Sequence, residues 1–186
     1  MPQFAKQDRR PATEAEARAL ASGIRMRILR LCLDRPLTNK EIAARLETNP
    51  ATILHHVRTL VATGFLEAQP ERRGNRGARE VPYLATGKSW VLSADESHVP
   101  GGGQATIDAF LDEIRHLDID HAVDPDKHET HIGLGRLGIR LPPDQIEELQ
   151  NRVDELLQDF ATRESDLETG VPYSIFIALY PDVTRP

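Results

Sequence analysis

Asn49-Pro50-Ala51-Thr52-Ile53-Leu54-His55-His56-Val57-Arg58-Thr59-Leu60-Val61-Ala62-Thr63-Gly64 reads as one short helix with both ends marked. Asn49 is a strong N-cap, Pro50 suits the first helical position, and Gly64 stands where a left-handed C-terminal residue is wanted. At about 100° per residue, Ile53, Val57, Leu60 and Val61 converge on one side and are expected to face a core. Leu54 and His56 fall on the flanks, while Ala51, Thr52, His55, Arg58 and Thr59 point away. The outward set mixes small residues with hydrogen-bonding ones, which suits a helix that enters a major groove and reads base edges. Thr52 and His55 are the candidates for base contacts and Arg58 for phosphate, with Asn49, Ala51 and Thr59 completing the helix's candidate DNA-binding set.

Working outward, Thr38-Asn39-Lys40-Glu41 is a capping box that starts a helix carrying Ile42, Ala43 and Leu46 on one side. Two short capped helices joined by a few residues are the helix-turn-helix arrangement. Lys40, at the start of the first, is placed to hold the DNA backbone while the second enters the groove. Upstream, apolar residues recur at helical spacing from Glu14 to Leu33, Gly23 marks a junction between two helices, and Asp34-Arg35-Pro36 ends the run. Downstream, Phe65–Ala68 and Val81–Leu84 flank a loop rich in Arg and Gly, a β-hairpin wing. Arg72, Arg73, Arg76 and Arg79 are interleaved there with Gly74, Asn75 and Gly77, so arginine can approach phosphates or a minor groove. With about five phosphate contacts per subunit, log K for a dimer would fall with log salt at a slope of about −9.

Ala19–Leu29, Pro36–Leu46, Asn49–Leu60 and Thr63–Leu66 together resemble the ArsR-type winged-helix regulators over the helices, the turn and the entry to the wing. Leu54 departs from that pattern, because the family usually has a small polar residue at its position. The resemblance implies a homodimer that binds a near-palindromic double-stranded DNA operator, commonly represses, and releases DNA when an effector binds. A C2 dimer would set two recognition helices about 34 Å apart.

The rest of the chain is expected to form a small α+β domain for dimerisation and for an effector site. A polar tail, residues 1–13, precedes the DNA-binding domain at 14–92; a linker at 93–103 leads to the second domain at 104–186. That domain opens with a helix near 104–117. Strands near 133–141 and 172–180 are expected to pair antiparallel, with a helix over 143–165 packed on them. Ile146, Leu149, Val153, Leu156 and Phe160 form a heptad-like stripe suited to a core or a dimer seam.

Bulk properties fit this division. The chain has 186 residues, 39% hydrophobic and 28% charged, with a formal net charge of −6. Residues 1–92 hold 16 Lys and Arg against 9 Asp and Glu, whereas residues 93–186 hold 7 against 20. A basic half joined to an acidic one fits a phosphate-binding domain beside a domain that stays off DNA. No apolar run is long enough to span a membrane and no secretion signal opens the chain, so a cytoplasmic location is expected.

Cys32 is the single cysteine and lies on an apolar face, which leaves no internal disulfide and makes it a core residue. His116, Asp118, Asp120, His121, His128 and His131 are a candidate metal set, since imidazole and carboxylate suit Zn²⁺, Co²⁺ or Ni²⁺. Asp124-Pro125 breaks any continuous helix between the two halves of that set, so a polar connection without metal is the expectation, and a metal-responsive repressor the alternative. A winged-helix module that contacts only proteins is a second alternative. No nucleophile elbow, phosphate-cradling loop or metalloprotease motif is present, so neither catalysis nor a cofactor is expected.

Overall fold

Thr13 starts the first helix with a reciprocal cap: its hydroxyl accepts from the Glu16 amide, and the Glu16 carboxylate accepts from the Thr13 amide at 2.8 Å. The computed structural model containing this helix describes residues 10–74, 77–93, 102–115, 137–161, 163, 166–170 and 173–182. Helix α1 (Glu14–Leu20) gives way at Ala21 and Ser22 to α2 (Gly23–Leu31), the junction expected at Gly23. Arg25 of α2 donates from Nε to Ala19 O and from Nη2 to Arg18 O, both at 2.5 Å, which satisfies carbonyls left open at the end of α1.

Helix α3 (Asn39–Arg45) carries the expected capping box, with Glu41 Oε2 accepting from the Thr38 amide at 2.7 Å. Its end is closed by Thr48 N donating to Ala43 O at 3.0 Å across Glu47, whose φ is +49°. Helix α4 (Pro50–Ala62) starts on Asn49, whose Oδ1 accepts from the Ala51 amide at 2.8 Å. Gly64, with φ +74°, ends it in the left-handed region where a side chain would be strained.

The strands are short: β1 (Arg10–Pro11), β2 (Leu37–Thr38), β3 (Leu66–Ala68), β4 (Arg72–Arg73), β5 (Arg79–Glu80), β6 (Pro82–Ala85) and β7 (Leu92–Ser93). β6 is the centre of a three-stranded antiparallel sheet in the order β2-β6-β3, with Leu37 opposite Tyr83 and Leu66 opposite Ala85. β4 and β5 extend the hairpin outward, Arg72 facing Glu80 and Arg73 facing Arg79. β1 runs parallel to β7.

Ile28, Cys32, Ile42, Ile53, Val57, Leu60, Phe65 and Leu66 are all 2% exposed or less, and together they join α2, α3, α4 and the sheet in one core. Each large aliphatic or aromatic side chain buried this way is worth about 1.5–3 kcal/mol against leaving it in water. Cys32 is a core residue, as its apolar face implies, and its carbonyl accepts from the Ala85 amide at 2.8 Å.

Four expectations are corrected. The tail does not run to residue 13: Arg10 and Pro11 lie in a strand and Thr13 caps a helix. Val61 is 38% exposed, because it sits about 80° round the helix from Ile53, at the edge of the buried sector rather than in it. Helix α5 (Gly102–Arg115) packs against α1 and α2, inside a unit spanning Asp8–Ile132, so the contacts do not divide the chain at 104. Ala109 is buried there, and a Cβ on Gly23 would lie 3.2 Å from Ala109 O and collide with the Asp112 carboxylate. The lack of a side chain at Gly23 is what lets α2 and α5 approach.

The fourth concerns the other unit, Met1–Gln7 with Gly133–Pro186. Its helix α6 (Pro143–Ala161) forms within the expected span. The described residues 137–142 and 173–182 are in no strand, so the antiparallel pair is not found there. Along α6, Leu149 and Val153 are half-buried while Ile146, Leu156 and Phe160 are exposed.

Candidate nucleic-acid interface

The core decides which face of α4 is outward. With Ile53, Val57 and Leu60 at 0% exposure, Ala51, Thr52, His55 and Arg58 are left exposed on the opposite side. Leu54 and His56 are half-buried flanks. Thr59 is also half-buried, and its hydroxyl donates back to His55 O at 3.2 Å. Asn49 is exposed, with its carbonyl oxygen committed to the cap.

The start of α3 is tied to the start of α4, because Asn39 Nδ2 donates to Pro50 O at 2.8 Å. Lys40 lies next to that tie and is exposed. On the wing, Arg72, Arg73 and Arg79 are exposed; Arg76 lies outside the described residues. The hairpin turns through Gly77 at φ +75°, with Gly74 N donating to Ala78 O at 2.8 Å. Gly74 and Gly77 therefore serve the turn itself, and Arg72, Arg73 and Arg79 are carried on the strands beside it.

Not every cation is free. Lys40 Nζ pairs with Glu80 Oε1 at 3.1 Å, Arg72 Nη2 with Glu41 at 2.7 Å, and Arg79 Nη1 with Glu71 Oε2 at 3.5 Å. Among the described residues Arg58 and Arg73 carry no ion pair. Hydrogen bonding from the Thr38 amide, with the Arg72 guanidinium adding to it, holds the Glu41 carboxyl below its ordinary value. These glutamates escaped the reading by sequence, since Glu41 has a sufficient explanation as a capping residue and Glu80 lies far along the chain from Lys40.

A second group positions the interface from behind. Lys88 Nζ donates to Thr63 O at 2.6 Å, sits 5.3 Å from the centre of the Phe65 ring, and pairs with Glu16 at 2.7 Å. One ammonium thus satisfies the C-terminus of α4 and joins it to α1. His56, beside the outward face, has its imidazolium form disfavoured first by burial and then by Arg25 and His55, so its pKa is lowered.

The candidate metal residues His116, Asp118, Asp120, His121, His128 and His131 all lie outside the described residues. Among the described residues no group of His, Cys, Asp and Glu could hold a metal ion, and no helix is long and apolar enough to cross a membrane.

No curated protein matches the chain. Among solved structures it is similar to reduced HlyU from Vibrio cholerae, at 20% identity and a TM-score of 0.34, over 56% of this chain and 87% of that one. HlyU from Vibrio vulnificus, described as a transcriptional regulator, shows 17% identity and a TM-score of 0.33, over 55% and 85%. A variant of ZitR from Lactococcus lactis shows 16% identity and a TM-score of 0.33, over 74% and 73%. Likeness at these TM-scores leaves the assignment to the domain match and to the geometry. Residues 20–69 match the family described as a helix-turn-helix domain, and the β3–β6 hairpin that follows α4 makes this domain a winged one.

Proposed function

We propose that this chain is a cytoplasmic, sequence-specific DNA-binding transcriptional regulator of the ArsR type, a homodimeric repressor whose hold on a near-palindromic operator is modulated by an effector. The observation that carries the reading is the face of α4: Ile53, Val57 and Leu60 are wholly buried, so Ala51, Thr52, His55 and Arg58 are presented outward next to a basic hairpin. A helix with small residues at its start can approach a major groove closely, Thr52 and His55 can read base edges, and Arg58, Arg73 and the other wing arginines can meet phosphates.

Dimerisation draws support from apolar side chains left partly exposed among the described residues of both units. On α5, Ile107, Leu111 and Ile114 are 41–45% exposed and fall on one face; on α6, Leu156 and Phe160 are more exposed still. Two copies burying such a stripe would gain hydrophobic free energy and place two recognition helices about one turn of DNA apart. The acidic second half would keep clear of phosphate and leave the basic half to bind.

Selection of bound sequences from random duplex DNA tests the proposal. The expected outcome is a motif with twofold symmetry, lost in Thr52→Ala combined with His55→Ala while the variant stays folded. Binding without sequence preference, or no binding, refutes it.

A further inference from the structure

Two ion pairs lie at the edge of the proposed DNA surface and are not explained by DNA binding. Lys40 Nζ lies 3.1 Å from Glu80 Oε1, and Arg72 Nη2 lies 2.7 Å from both carboxylate oxygens of Glu41. Each pair bridges α3 to a wing strand, Glu80 being on β5 and Arg72 on β4. The tie from Asn39 to Pro50 holds the start of α3 beside the first turn of α4, so both cations stand where the helix surface meets the wing. Glu80 is also closely seated: its side chain is only 18% exposed, and both carboxylate oxygens lie 2.6 Å from where a Cβ on Gly74 would stand. A residue other than glycine there would push the carboxylate off.

We propose that Glu41 and Glu80 are built-in phosphate surrogates, occupying Arg72 and Lys40 in the free protein and competing with the DNA backbone for them. The inference rests on the DNA-binding reading. A carboxylate and a backbone phosphate each present one negative charge through oxygen and so compete for the same cation, and while the pair holds, that cation neutralises no phosphate. The pairs therefore lower affinity for DNA of any sequence.

Each cation made available to phosphate should steepen the slope of log K against log salt by about 0.9, which at 0.1 M salt is about an eightfold gain per subunit. The test is fluorescence anisotropy of a labelled duplex of random sequence, titrated with the full chain and with Glu80→Gln and Glu41→Gln across a salt series. Gln retains an acceptor at the third position of the capping box, so Glu41→Gln keeps α3 capped. The expected result is tighter binding by each variant with a steeper salt slope, at a melting temperature within a few degrees of the parent. If the pairs instead hold the wing in its DNA-binding position, both variants bind more weakly; that result, or unchanged affinity and slope, overturns the surrogate role while leaving DNA binding intact. If neither the parent nor a variant binds DNA at any salt, both readings fall.

Discussion

Replacing Glu16 by Gln tests how the interface is held from behind. Glu16 is 5% exposed and carries four hydrogen bonds: from Arg10 Nη1 and Nη2 at 2.9 and 2.6 Å, from Lys88 Nζ at 2.7 Å and from the Thr13 amide at 2.8 Å. The Arg10 guanidinium, then Lys88 and Thr13, hold its carboxyl well below the usual range against the opposing effect of burial. A glutamine of the same shape still accepts from Thr13 but loses both charge pairs. Removing one partner of a fully buried pair costs about 3–5 kcal/mol. Arg10 is 47% exposed on its side chain and can rehydrate, whereas Lys88 at 27% is less able to. Discounting for that screening leaves about 2 kcal/mol, or about 8 °C in the melting temperature of a unit of this size. The sign with pH follows from the lowered carboxyl. Its contribution is fully present above the unfolded pKa of about 4.3 and is lost as pH falls through the folded value. Thermal melts followed by circular dichroism at pH 7 and at about pH 3 should therefore show a large gap between parent and variant that narrows in acid. A loss below about 2 °C at pH 7, or a gap of constant size across that range, would refute the argument.

Three further outcomes follow from the same geometry. Gly64→Ala forces a side chain into φ +74° with Lys88 Nζ 3.3 Å from the new Cβ, so chemical denaturation should show a loss of about 1–2 kcal/mol. His56, whose pKa is lowered chiefly by burial, contributes stability that is full above the unfolded value of about 6.5 and declines as pH falls below it; denaturant midpoints of His56→Asn should fall less between pH 7.5 and 5.5 than those of the parent, and parallel curves would count against it. Burial pushes the Cys32 thiol up to about 12, so a thiol reagent at pH 8 should label the folded chain only at the rate of unfolding, and rapid labelling of native protein would contradict its place in the core.

Much of the first unit is readable by sequence because its signals are local. A capping box such as Thr38 to Glu41 spans three residues, and Asn49, Pro50 and Gly64 each act on the turn they occupy. The buried face of α4 follows from spacing alone, save for Val61 at its margin. Partners distant in sequence are a different matter. Nothing local marks Ala109 as the point where α5 is buried, and only the missing side chain at Gly23 shows that this side of the helix packs on α2, while Ile107, Leu111 and Ile114 stay exposed. Residues 137–141 alternate as a strand would, and nothing within the segment says whether a ladder forms.

The same limit bears on function through the count of available cations. Read along the chain, Lys40, Arg58, Arg72, Arg73, Arg76 and Arg79 are all free to meet phosphate, and about five contacts per subunit give a slope near −9 for a dimer. The fold brings Glu80 to Lys40, Glu41 to Arg72 and Glu71 to Arg79, across separations that no local pattern encodes. Arg58 and Arg73 are the described members of that set with no carboxylate against them. If the pairs hold in the complex, each removes about 0.9 from the slope, and the salt dependence becomes far shallower than the basic composition of the wing implies. A shallow slope in the parent, restored by neutralising the glutamates, would therefore report the paired state of the wing, whereas the fold of α4 alone determines whether Thr52 and His55 can reach a base.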